Sequence, residues 1–280
     1  MDSTVFFIIL LATIMHAIWN AMVKHHKDKA VAVSAIVLGH VPLALLCIIL
    51  FPLPGKDSVP YIIVSVLAHQ GYQWYMLNSY KVGDYTNVYP IFRGFGPLLA
   101  TLISIIFLGI EFKLSNLFSI LFICFGIIFL GLFASKNRNQ LKIIKYALLT
   151  GTFISFYSLI DGYGARVSTS YISYMSFSFL LSALVFPLIL KLNKYDNTIS
   201  KVFTDAKLIF WIGGSLSFVI YIIVVWGFTK SSIPLVAALR ETSIFFSIFI
   251  GYFFLKEEIN LKKIFSILFI LAGVIGIKLF

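Results

Sequence analysis

The chain reads as long apolar runs separated by short polar connections. A helix needs about 20 apolar residues to cross the hydrocarbon of a bilayer. Ten runs of that size can be marked, at 5–23, 30–51, 59–80, 86–109, 114–134, 143–165, 171–190, 208–229, 234–255 and 261–280. Numbered in order as spans 1 to 10, they leave too little chain for a soluble domain. Membrane β-strands alternate polar and apolar residues over about ten positions, and these continuous runs do not. The pattern therefore predicts an all-α integral membrane protein with ten transmembrane helices. Span 1 is expected to stay in place rather than be cleaved as a signal peptide: the only charge before it is Asp2, and no small-residue cleavage site follows.

Composition agrees with that solvent. Of 280 residues, 60% are hydrophobic and 12% charged, with a mean hydropathy of +0.99; soluble domains are about 25% charged. The net charge of +11 would suggest nucleic acid in a soluble protein. Here the basic residues sit mostly between spans, so the expected partner is the lipid bilayer and not nucleic acid. Fifteen Lys and Arg follow odd-numbered spans and five follow even-numbered ones or precede the C-terminus. By the positive-inside rule the odd loops are cytoplasmic and both termini lie outside. Cys47 and Cys124 both fall inside apolar spans, as packing residues would.

A repeat emerges when "RGFGPLLATLISIIFLGIEFKLSNLFSILFICFGIIFLGLF" (93–133) is laid over "RETSIFFSIFIGYFFLKEEINLKKIFSILFILAGVIGIKLF" (240–280). At an offset of 147 without gaps, 16 of 41 positions are identical, including Arg93 with Arg240 and Glu111 with Glu258. The register carries spans 4 and 5 onto spans 9 and 10, giving two five-helix repeats, 1–140 and 141–280. An odd number of crossings inverts the second copy. Inverted repeats are a mark of secondary transporters, whose substrate sites lie near the midplane where the halves meet.

The helix ends "FLGIEF" and "FLKEEI", each followed by a glycine-containing helix, resemble the two copies of the EamA repeat of the drug/metabolite transporter superfamily. The segments "HAIWN" (16–20), "YPIFRGFGPL" (89–98) and "ALRETS" (238–243) resemble EamA-type bacterial permeases. This resemblance covers essentially the whole chain. It implies ten helices around a central cavity lined chiefly by spans 1, 3, 4, 6, 8 and 9, in a bacterial inner membrane. Members more often keep both termini in the cytoplasm, and the charge asymmetry here points the other way.

Candidate chemistry concentrates in those same spans. Arg93 lies seven residues into span 4, about 10 Å deep, and Arg240 lies equally deep in span 9, which enters from the opposite face. The two are expected to straddle the midplane, one on each side of a cavity. Tyr89 and Ser104 share the Arg93 face, while Gly94, Gly96 and Pro97 should loosen the helix there. Two alternatives stand beside a substrate role: the arginines snorkel to the interface, or each neutralises a buried carboxylate, Asp161 or Glu241, for structure. Adjacent helical residues point about 100° apart, so Glu241 is not expected to serve Arg240.

His16, Trp19 and Asn20 of span 1, His69, Tyr72 and Gln73 of span 3, Tyr157 of span 6 and Trp226 of span 8 complete the candidate binding set. Asp161 and Glu241 are candidates to carry a coupling proton, because ionisable groups inside a membrane are functional candidates by default. Spans 2, 5, 7 and 10 are expected to face lipid or knit the halves together. The "KHHKDK" run (24–29) reads as a solvated basic loop, and neither a metal nor a cofactor is expected.

These features predict a secondary transporter for a small polar metabolite, anionic or zwitterionic because two arginines suit a carboxylate or phosphate. A lipid-carrier headgroup flippase is the alternative. An intramembrane enzyme is disfavoured: no H-E-x-x-H, G-x-G-D or G-x-S-x-G occurs, and no glycine-rich phosphate loop suggests ATP hydrolysis.

Overall fold

The computed structural model describes residues 1–83, 85–132, 140–255 and 261–279. Glu258, one member of the repeat's glutamate pair, lies outside them, as do Lys136, Arg138 and Lys256 of the charge asymmetry. Among the described residues the structure is helical with no β-strand. The helices are α1 (Ser3–His25), α2 (Lys29–Gly39), α3 (Val41–Leu50), α4 (Val59–Val82), α5 (Tyr85–Ile106), α6 (Leu114–Leu132), α7 (Gln140–Val167), α8 (Tyr171–Leu192), α9 (Thr198–Asp205), α10 (Gly214–Lys230), α11 (Ile233–Glu241), α12 (Ser243–Leu255) and α13 (Leu261–Leu279).

Among the described residues six stretches are both long and apolar enough to cross a membrane: 3–20, 29–50, 88–106, 141–167, 171–192 and 209–230. Helix α4 is 24 residues long, about 36 Å at 1.5 Å per residue, and falls outside that set because it is rich in polar residues. Its polar positions point inward: Ser65, His69, Gln70, Gln73 and Ser79 are buried, while Leu67 on the opposite face is 63% exposed.

Burial across the molecule is inverted relative to a soluble protein. Ile49, Phe107 and Leu192 are 81%, 78% and 83% exposed, whereas Asp161 and Glu241 are at 0%. Exposed apolar surface on this scale is stable only against lipid, and a charge is stable inside only where it is paired.

Three predicted spans are interrupted. Span 2 becomes α2 and α3, joined through His40, which keeps right-handed helical angles. The cause is Pro42, second residue of α3, which has no N–H to donate and whose ring crowds the carbonyl four residues back. Span 8 opens with a π-helical turn over Ile209–Gly213. Span 9 breaks at Thr242 between α11 and α12; the Thr242 hydroxyl donates to the Leu239 carbonyl at 2.7 Å. The expected loosening of span 4 is not seen, because α5 continues through both Pro90 and Pro97. Helix α9 is an addition in a stretch read as a connection; its buried Val202 packs with Val31 and Ile209.

Two close approaches set the packing. A Cβ on Gly39 of α2 would fall 2.2 Å from the Phe210 carbonyl oxygen, and one on Gly214 would fall 2.5 Å from Gly39 Cα. At the interface of α6 and α13, a Cβ on Gly126 would lie 2.9 Å from the Ser266 carbonyl oxygen, and one on Gly273 would lie 2.5 Å from that of Ser119. Small residues let membrane helices approach this closely and pack by dispersion, where no hydrophobic effect assists.

Candidate substrate cavity

Helix α1 presents His16, Trp19 and Asn20 at i, i+3 and i+4, one face of one turn. Helix α4 presents His69, Tyr72, Gln73, Met76 and Tyr80 at the same spacing. These two faces, with Tyr157 of α7, Ser217 and Tyr221 of α10, Arg93 of α5 and Arg240 of α11, enclose a cavity. Its empty volume, opening included, is about 820 Å³.

Charge is gathered at two centres. In the first, both arginines meet one carboxylate. Arg93 Nε pairs with Glu241 Oε2, and Arg240 donates through Nε and Nη2 to Glu241 Oε1 at 3.0 and 2.8 Å. Arg93 and Arg240 are only 3% and 2% exposed, so neither reaches the membrane surface. Arg93 Nη2 also donates to His16 Nε2, while Trp19 Nε1 donates to His16 Nδ1 at 3.2 Å. A neutral imidazole has one acceptor nitrogen, so one of those two N–H groups requires another acceptor.

The second centre is Asp161. It accepts from Tyr221 at 2.6 Å, from His69 Nε2 at 3.0 Å and from Tyr174 at 3.2 Å. Tyr157 links the centres: its ring stacks on His69 at 4.3 Å between centroids, and its hydroxyl lies 3.5 Å from Arg240 Nη2. Gln73 Oε1 is buried at the cavity wall and meets no donor among the described residues.

Nine of the eleven candidate binding residues line the cavity: His16, Trp19, Asn20, His69, Tyr72, Gln73, Arg93, Tyr157 and Arg240. Tyr89 stands behind them, its ring 5.4 Å from the Arg93 guanidinium carbon. Trp226 is elsewhere, in a separate pocket with Arg166, Thr169 and Lys230.

Three expectations are corrected. The arginines do not stand apart across the cavity; they converge on Glu241. Nor does helical geometry keep Glu241 from Arg240. Glu241 is the last residue of α11, and two long side chains at a helix end can fold onto each other where an unbroken helix would splay them. Helix α2 does not face lipid, since nine of its eleven residues are buried and Val33, Ile36, Val37 and His40 form a cavity wall. His40 bonds Ser217 at 3.1 Å and rests on Phe179 at 4.3 Å. A helix that is apolar and small all round is a buried helix, and that was the available signal.

Among the described residues no cluster of three His, Cys, Asp or Glu side chains is placed to hold a metal ion.

Apolar side chains outward and buried charges around an internal cavity define an integral membrane protein. The model of the EamA-like transporter family matches residues 141–279, and the chain belongs to that family, within the drug/metabolite transporter superfamily. No curated protein matches the sequence. One solved crystal structure superposes with a TM-score of 0.76 over 100% of this chain and 99% of its own, at 14% identity; a likeness at that identity is one of fold.

Proposed function

We propose that this chain is a secondary transporter for a small anionic or zwitterionic metabolite, held in the central cavity by Arg93 and Arg240. The observation that carries the reading is the shared carboxylate: among the described residues two buried guanidiniums meet one carboxylate, Glu241, leaving one positive charge at that end of the cavity. An isolated buried charge is costly, and a carboxylate or phosphate group on the solute supplies the missing partner through charge-assisted hydrogen bonds. The surplus donor at His16 asks for the same group. Trp19, Tyr72, Tyr157 and Tyr221 would cover the solute's apolar part, and Gln73 Oε1 would accept from an ammonium or hydroxyl.

Alternating access between two inverted five-helix halves is the mechanism we infer, in a bacterial inner membrane with the odd loops cytoplasmic. Reciprocal packing supports the inversion. Gly126 meets Ser266 and Ile270, while Gly273 meets Ser119 and Ile123, and each pair maps onto the other by the 147-residue offset. A twofold axis generates this kind of self-complementary contact. Asp161 and His69 form the coupling site in this reading. A proton there would be balanced locally, whereas protonating Glu241 would leave two guanidiniums facing each other.

The test is Arg93→Lys. Lysine keeps the charge but loses the planar donor fork. Losing one charge-assisted bond costs about 1.5–3 kcal/mol, or tenfold and more in affinity. A thermal-shift screen of purified protein against amino acids, organic acids and phosphonates first identifies a stabilising solute. Uptake of that solute into vesicles should fall about tenfold or more in Arg93→Lys and be unchanged in Arg138→Lys. Normal uptake by Arg93→Lys overturns the reading.

A further inference from the structure

The central cavity is not placed symmetrically between the two faces. From the middle of the molecule it extends to Val23, two residues before the end of α1, and to Tyr80, two residues before the end of α4. Both positions lie toward the face that carries the odd loops. Toward the other face the same helices are shut. Ile9, Val236 and Phe228 are at 0% exposure. A Cβ on Gly227 would fall 2.8 Å from Ile9 Cδ1 and 3.1 Å from Val236 Cγ1, and one on Gly162 would fall 2.4 Å from Ile233 Cδ1. Apolar groups packed at that density leave no room for a solute.

Outside the open end lies a second concavity, with an empty volume of about 740 Å³, lined by Lys27, Asp28, Lys29, Leu77, Lys81 and Tyr195. Tyr80 lines both spaces. The charges of this outer chamber are held in place. Lys81 Nζ sits 4.6 Å over the Tyr195 ring, and Lys29 Nζ donates to the carbonyls of Val23 and His26 at 3.1 and 2.8 Å. Asp28, the single carboxylate among the described lining residues, caps α2, accepting from the backbone N–H of Ala30 and Val31 at 3.0 and 3.2 Å, against three lysines. The chamber is therefore a basic mouth over a cavity that itself holds an excess arginine charge.

We propose that this outer chamber is an anion-collecting site, and that Tyr80 is the partition between it and the arginine cavity in a conformation closed at the opposite face by Ile9, Val236 and Ile233. Concave sites of one sign concentrate oppositely charged solutes, raising encounter rates by a factor of about 10–1000. This rests on reading the cavity as a transport pathway. The test below uses no substrate, so its failure and the failure of Arg93→Lys are separate results.

The test is thiol access. In a Cys47→Ala, Cys124→Ala background, Tyr80→Cys, Met76→Cys and Val236→Cys are each placed in lipid nanodiscs with both faces open. Each is treated with anionic sulfonatoethyl methanethiosulfonate and with cationic trimethylammonioethyl methanethiosulfonate. The thiolate attacks the reagent sulfur, forms the mixed disulfide and releases methanesulfinate. Rates are normalised to those of a free thiol in solution. The proposal expects Tyr80→Cys to prefer the anionic reagent by about tenfold, and this preference to fall several-fold once Lys27 and Lys81 are both Gln. Met76→Cys, one turn deeper, should keep the preference and stands in should Tyr80→Cys not fold. Val236→Cys should stay unmodified. Equal rates for the two reagents, a preference indifferent to the lysines, or modification of Val236→Cys as fast as of Tyr80→Cys each overturn it.

Discussion

Helix α5 and the pair α11–α12 occupy the same register of the 147-residue repeat, each centred on an arginine, yet they are built differently. Helix α5 carries Pro90 and Pro97 and runs unbroken from Tyr85 to Ile106. Its counterpart has no proline near Arg240 and breaks one residue after Glu241. Local helix breakers thus fail to say where the backbone yields. Of the positions that differ around the arginine, the one that brings a charge is Gly94 in the first copy and Glu241 in the second. Gly94 is pressed against α6, where a Cβ would meet Ile128 Cγ1 at 2.7 Å and the Cys124 carbonyl oxygen at 3.0 Å. Glu241 instead turns inward and serves both arginines. The two aligned segments thus differ in charge at the position after the arginine, and Glu241 places the carboxylate of the centre on one side only.

The comparison can be broken most forcefully at Glu241. Glu241→Ala should leave two buried guanidiniums without their shared carboxylate, a loss of about 3–5 kcal/mol, read as a lowered Tm and a shrinking monodisperse fraction in detergent. Adding Gly94→Glu should not rescue it, because the first copy has no space for the side chain. If Glu241→Ala melts like the parent protein, the carboxylate is not the keystone of the centre. Gly94→Ala alone tests the other half of the contrast, with an expected overpacking cost of about 1–3 kcal/mol by the same melt. The smallest effect concerns Trp226, which lies outside the cavity: Trp226→Phe should leave solute-induced thermal stabilisation unchanged. A weakened ligand response there would enlarge the site.

Much of the cavity's wall was legible in the sequence because helical periodicity is a local property. His16 with Trp19 and Asn20, and His69 with Tyr72 and Gln73, needed only their spacing to be assigned to shared faces. Helix α2 escaped because its small apolar residues show no polar stripe, and burial on every side leaves no periodic signal. Trp226 falls outside the central cavity because its own helix has polar and aromatic positions on more than one face, and only packing selects the face that lines the cavity.

The solvent, the helical class and the register of the repeat were determined by the amino-acid sequence alone, since each follows from hydropathy or from identity at a fixed offset. The tertiary structure decided which charges meet. Asp161 finds its donors on α4, α8 and α10, and Arg93 finds Glu241 from the other half of the chain. Those pairings depend on how far side chains reach between helices and on where α11 ends, and neither quantity is encoded in any local window of sequence.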